Sequence, residues 1–295
     1  DGAEAGGRGG RVDLRHTVGM SHIPTVQAAA RGARARPESA AHLYTADDVS
    51  LVVAALSDPA AHEDAARSIR TRAREPANHA AILAAGAVAP LVSLLGPSLP
   101  TAVQEEAAIA LSNLARDATA RDMIASAGAI PMLVSLLGET SSGSDGQAAG
   151  GASGGIDRAA KAAAAISNLA ECNASNKRLV LETGAHVRLI ELLGSDSPLA
   201  QEQVALALTN LAVDPNARQQ IAGAGACGPL VAMLCGGGDD SVLWQAAAAL
   251  TNLACENEGN ERRIVAAGAA RPLVALLGRT AARLQCGWPR SPSNT

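Results

Sequence analysis

The chain has 295 residues, a net charge of −4 and a pI near 5.9, so no strong basic field marks it as a nucleic-acid binder. Hydrophobic residues make up 48% of it, yet there is no Phe, one Tyr and two Trp, which excludes a core of large aromatic side chains. Ala and Leu carry the apolar surface instead; both are strong helix formers, and small side chains suit many close helix–helix contacts.

In chain order, residues 1–44 are rich in Gly, Ala and Arg and are expected to form a flexible leader. Arg without any acid over 14–36 gives only a faint likeness to a transit peptide. Residues 47–75 read as two helices of a partial unit. From there three markers recur in one register. The phrase SNLA or TNLA places Asn113, Asn168, Asn210 and Asn252 at intervals of 55, 42 and 42. A Gly-Ala pair starts at Gly86, Gly128, Gly184, Gly225 and Gly268, and LLG or LCG ends at Gly96, Gly138, Gly194, Gly236 and Gly278. A shared period of 42 with one shared interruption is the signature of a stacked repeat array.

The unit over 174–214 shows the internal plan. A short apolar-periodic helix over 176–183 is closed by Gly184 as a left-handed C-cap. A second helix over 185–193 is closed by Gly194. After a polar turn, Pro198 opens a third and longer helix to about Val213, with Val204, Leu208 and Leu211 on one stripe. One such unit cannot bury its stripe alone, so neighbours must stack. The full units run over about 77–117, 118–173, 174–214 and 215–256. The interruption, 139–155, is Gly/Ser-rich and predicts a disordered loop between two helices of the second unit. A fifth unit from Asn257 is expected to stop after its second helix at Gly278. Pro289 and Pro292 predict an irregular tail over 280–295.

Several features invite other readings. Residues 77–104 and 219–238 carry no charge, but internal Gly and Pro in repeat register predict buried helix pairs rather than membrane spans. Gly223 to Gly228 reads GAGACG, a formal dinucleotide fingerprint, yet it falls between two helices and in register with four other Gly-Ala pairs. His62, Glu63 and Asp64 are consecutive and point apart on a helix, so no metal site is expected, and no cofactor or nucleophile–base–acid set is read. Cys172, Cys227, Cys235, Cys255 and Cys286 contain no CxxC and read as reduced thiols, from which an intracellular setting, cytoplasmic or nuclear, is expected. On the same ground the sequon at Asn173 is read as idle.

The helix order, the period and the NLA phrase resemble armadillo repeats over residues 47–279. The runs AGAIPMLVSLLG (127–138) and QEEAAIALSNLA (104–115) are similar to the plant and fungal branch, which includes vacuolar armadillo proteins and the armadillo arrays of U-box ubiquitin ligases. The resemblance implies an all-α, right-handed superhelical solenoid of three-helix repeats. Such a solenoid is a non-catalytic scaffold whose third helices line a groove for an extended segment of another protein. It also implies that Asn113, Asn168, Asn210 and Asn252 form a ladder that hydrogen-bonds the main chain of that segment. The alternative is that each Asn only caps or bridges neighbouring backbone. The flanking positions by helical spacing are Ile109, Ala164, Leu206 and Ala248 one turn before each Asn, and Glu106, Lys161, Gln203 and Gln245 two turns before. One turn after come Arg116 or Asp117, Glu171 or Cys172, Val213 or Asp214, and Cys255 or Glu256. Receptors of the importin-α kind carry Trp one turn before the Asn; here Trp244 alone stands near, two turns before, so nuclear-signal binding is not expected. Two further functions fit the same fold: the substrate-binding part of a ubiquitin ligase, or a membrane-tethered organelle adaptor.

Overall fold

The computed structural model describes residues 46–138, 152–236 and 238–287, all within one unit of the chain. The expected leader, residues 139–151 of the insert and residues 288–295 lie outside the described residues. No strand occurs among the described residues. A cap of α1 (Ala46–Ala55) and α2 (His62–Arg72) precedes the first unit, α3 (His79–Ala84), α4 (Val88–Ser93) and α5 (Thr101–Leu114). The second is α6 (Ala118–Ser126), α7 (Ala129–Leu137) and α8 (Ala152–Ala170); the third is α9 (Ala174–Glu182), α10 (Ala185–Leu192) and α11 (Pro198–Leu211). The fourth is α12 (Pro215–Gly223), α13 (Cys227–Cys235) and α14 (Asp240–Ala254), and α15 (Glu258–Ala266) and α16 (Ala270–Gly287) close the array.

This is the solenoid of helical repeats that the 42-residue period predicts. Its local signals work as expected: Ser197 caps α11 through Ala200 N with Pro198 in the first turn. Gly184 turns the chain from α9 to α10 at φ +73 with no atom within 4 Å of a Cβ position. The requirement at Gly184 is therefore on the dihedral, not on space, and the other four Gly-Ala glycines share it. Helices α2, α5, α8, α11 and α14 pack each on the next and form one continuous wall. Their interiors are Ala-rich. Ala107, Ala108, Ala162, Ala163, Ala165, Ala205, Ala207, Ala246 and Ala249 are all fully buried, which lets backbones approach to roughly 8–10 Å.

Two boundaries differ from the sequence reading. Helix α8 starts at Ala152, inside the expected loop 139–155, because each further turn added to a long helix escapes the cost of nucleation. Helix α16 does not stop at Gly278 but runs to Gly287, through the first half of the tail expected to be irregular. One interior Gly costs only about 1 kcal/mol relative to Ala, and no capping or turn residue follows Gly278. The prolines act two residues beyond the helix end instead. No single helix among the described residues is long and apolar enough to cross a membrane; α6 and α7 reach that composition only as a pair bent by 81°. The GAGACG stretch spans the end of α12, a turn with Gly225 at φ +95, and the start of α13, so it follows no strand.

Candidate functional site: the ladder on the third helices

Each ladder asparagine occupies the same place on successive wall helices and is half-buried. Each reaches back to the helix before it. Asn113 Nδ2 donates to Arg70 O at 3.1 Å, Asn168 to Ser112 O at 2.8 Å, Asn210 to Ser167 O at 3.1 Å and Asn252 to Thr209 O at 2.9 Å. The acceptor is always the residue just before the preceding ladder position, and Thr71 holds that position in the cap. Ser112 and Ser167 accept a second time through Oγ, both at 3.0 Å, whereas the Thr209 hydroxyl turns to its own helix and donates to Ala205 O. The bridging role is thus real in this structure. It uses donors only: among the described hydrogen bonds no ladder Oδ1 accepts, so each amide retains an acceptor. The sequence signal for the partner was present in the phrase itself, as the Ser or Thr before each Asn.

The flanking residues divide by position along the wall. Glu106 lies between Arg67 Nε at 3.3 Å and Arg70 Nε at 3.0 Å, and it is mostly buried. The Arg70 contact is a charge contact, since its angle leaves Oε2 without a hydrogen bond. The hydrogen bond to Glu106 holds the Arg67 guanidinium above its ordinary value. Lys161 pairs with Glu105 on α5, so its charge is met across the stack. Gln203 and Gln245 are half-buried and make no hydrogen bond among the described residues. Arg116 is exposed, and Glu171 contacts Arg121 Nη2 at 3.6 Å. Asp117 and Asp214, alternatives at the positions one turn after, are N-caps of α6 and α12 and belong to helix starts.

Sequence reasoning missed the residues that fasten the ends of the wall helices. Arg121 donates to Ala115 O, Arg116 O and Glu171 O at 2.8, 3.3 and 2.9 Å. Arg218 repeats this on Ala212 O, Val213 O and Cys255 O at 2.9, 3.0 and 2.8 Å. The last carbonyls of a helix have no partner of their own, and these two side chains supply one. At the next two helix ends a buried Asn does the work: Asn176 Nδ2 donates to Leu169 O and Asn260 Nδ2 to Leu253 O, both at 2.9 Å. From the ladder Asn to the next N-cap these two exits take five residues rather than four, and in them Cys172 and Glu256 take φ +50.

The Armadillo/beta-catenin-like repeat family model matches residues 76–116 and 214–255. No curated protein matches the chain. Among solved structures, an engineered protein is 33% identical over 78% of this chain and 90% of its own, with a TM-score of 0.68. A designed armadillo repeat protein in complex with the peptide (KR)4 is 27% identical, with 78% and 91% covered and a TM-score of 0.67. The structure of a complex titled for the interaction between cadherin and beta-catenin is 20% identical over 70% of this chain and 39% of that one, with a TM-score of 0.60, a likeness of fold alone.

Proposed function

We propose a function for this chain from one premise: it belongs to the armadillo-repeat family. The chain is a non-catalytic scaffold that binds an extended segment of another protein along the wall of third helices. The observation that supports this is the ladder. Four amides recur in one orientation on one face, each anchored by a donor to its neighbour and each keeping an acceptor. Anchoring removes side-chain freedom before a ligand arrives, which favours binding. Rungs about 10 Å apart span about 30 Å, or roughly nine residues of extended chain. Each main-chain bond contributes only about 0.5–1.5 kcal/mol, so the ladder alone is weak and blind to sequence. A relative solved in complex with the peptide (KR)4 lends support to peptide binding. The narrower kinship with vacuolar and U-box-linked arrays rests on runs 104–115 and 127–138, and no observation favours the ligase or membrane-adaptor reading over the scaffold.

The test is co-purification of partners with the chain and with its Asn210→Ala/Asn252→Ala variant, circular dichroism confirming the fold. Because the amides also bridge helices, a Ser167→Ala variant serves as control, since it loosens the Asn210 bridge and leaves both amides in place. Partners lost with the first variant and kept with the second support the groove. An unchanged partner set with both assigns the asparagines to structure alone.

A further inference from the structure

The two halves of the wall differ in what they leave open. On α2, α5 and α8 five charges meet each other across the stack: Arg67 and Arg70 with Glu106, and Lys161 with Glu105. On α11 and α14 the same stripe is apolar and open. Leu199, Glu202, Leu206 and Asn210 follow one another at helical spacing on α11, and Val213 lies two residues beyond its end. Leu199 is 50% exposed and Val213 53%, with Leu206 half-buried between them. On α14 the matching positions are Ser241, Trp244, Ala248, Asn252 and Cys255, and Trp244 is 42% exposed. Trp244 stands in register with Glu202 and one turn from the level of Leu199, so an open tryptophan and an open leucine flank one carboxylate on the floor beside two ladder rungs.

Charge narrows the occupant. Neither α11 nor α14 contains a Lys or Arg. Of their acids, Asp240 pairs with Arg279 at 3.1 Å from outside the wall, while Glu202 meets only the Ser241 hydroxyl, at 3.3 Å, and no cation among the described residues. The floor is therefore apolar with one uncompensated carboxylate. Resting on the groove reading above, we propose that α11 and α14 form the side-chain-reading part of the groove. The occupant is an extended segment of a partner protein that presents two large aliphatic or aromatic side chains with a cationic residue beside them. In the α2–α8 half Arg67, Arg70 and Lys161 are already paired with Glu106 and Glu105, so that half contributes chiefly main-chain contacts. A segment made wholly of Lys and Arg fits poorly, because the acids Glu105 and Glu106 that would receive it are occupied.

Trp244 provides the readout once the other tryptophan is removed by Trp288→Phe. Three probes are titrated: a ten-residue Gly/Ser peptide with Leu at two alternate positions followed by Lys, the same peptide with both Leu replaced by Ser, and the octapeptide (KR)4. The expected result is a change in Trp244 emission and binding at least tenfold tighter for the Leu peptide than for either other probe. Leu199→Ser/Val213→Ser, both at exposed positions, should cut that preference to under threefold. Glu202→Gln should weaken the Leu–Lys peptide several-fold and leave a Leu–Ser version unchanged. Asn210→Ala/Asn252→Ala should weaken all peptides that bind while keeping their ratio. Equal or tighter binding of (KR)4, a Leu preference that survives Leu199→Ser/Val213→Ser, or no binding of the Leu peptide overturns this inference. In the first two cases loss of binding in the asparagine variant still upholds the groove. A Leu preference that is intact and indifferent to that variant overturns the groove and leaves an isolated apolar site.

Discussion

Arg218 Nη1 reaches Cys255 O at 2.8 Å, across 37 residues of sequence. The carbonyl is available because Cys255 leaves the helix at ψ 119 and Glu256 follows at φ +50. With Ala212 O and Val213 O on its other nitrogens, one guanidinium closes the ends of α11 and α14 together. Arg121 makes the matching set on α5 and α8.

Removing that side chain should therefore loosen two helix ends at once. Arg218→Ala is expected to destabilise the chain by about 2–4 kcal/mol, the range for losing several charge-assisted bonds and orphaning their acceptors. Arg218→Lys keeps the charge but presents a point donor, so it should recover less than half of the loss. Urea unfolding measures both; a Lys variant within about 0.5 kcal/mol of the parent would show that charge, not the planar fork, is what matters.

The ladder predicts unequal costs. Asn210→Ala should cost more than Asn252→Ala, about 1–2 against about 1 kcal/mol, because Asn210 also bonds Ser167 Oγ whereas the Thr209 hydroxyl is turned away. In a Ser167→Ala background the two costs should converge. Equal costs in both backgrounds would remove the hydroxyl from the account.

How much of this was legible beforehand depends on range. The period, the three-helix unit and the Gly184 and Pro198 boundaries are local consequences of helix stop and start chemistry, and they stand in the structure as read. The start of α8 and the end of α16 were misjudged because composition was weighed without helix cooperativity. The Glu106 and Lys161 pairings could not be read at all. Glu106 lies 36 and 39 residues from its arginines and Lys161 lies 56 from Glu105, and which side chains meet is set by how units stack. Arg121 and Arg218 were hidden for the same reason, although their shared distance of four residues from Asp117 and Asp214 is visible in the sequence. The sequence left open whether Asn113, Asn168, Asn210 and Asn252 line a groove or only bridge neighbouring backbone, and the structure combines the bridge with a free acceptor on each.

Acid should act through His186. Its Nδ1 is buried without a hydrogen-bond partner, and burial pushes the imidazole below its ordinary value of 6.5. As pH falls, the unfolded chain takes up this proton first, so the unfolding free energy must fall with it. The contribution is complete above about pH 6.5 and is lost as pH drops from there through the folded-state value. His186→Gln should flatten this part of the stability–pH profile. An unchanged slope below pH 6.5 in that variant would place the acid sensitivity elsewhere.

The far end of the array should associate with itself. Val265, Val274 and Leu277 on α15 and α16 are each 68% exposed, an apolar set with no helix packed over it among the described residues. Sedimentation equilibrium should show concentration-dependent association that Val274→Lys/Leu277→Lys reduces. A parent chain that stays monomeric at the highest soluble concentration would count against an adhesive end.

The alternation between four and five residues from a ladder Asn to the next N-cap sets the grain at which this array can be edited. A short exit from a wall helix is met by an arginine on the following helix, as at Asp117 and Asp214. A long exit through Cys172 or Glu256 is met by an asparagine. Deleting residues 174–214 would bring the long exit of α8 against Arg218, whose fork is shaped for a short one. Deleting residues 174–257 instead joins Asn173 to Glu258 and sets Asn260 where Asn176 stood, which restores the match. The unit of duplication, excision or transplantation in this chain is two repeats, although the sequence repeats once every 42 residues.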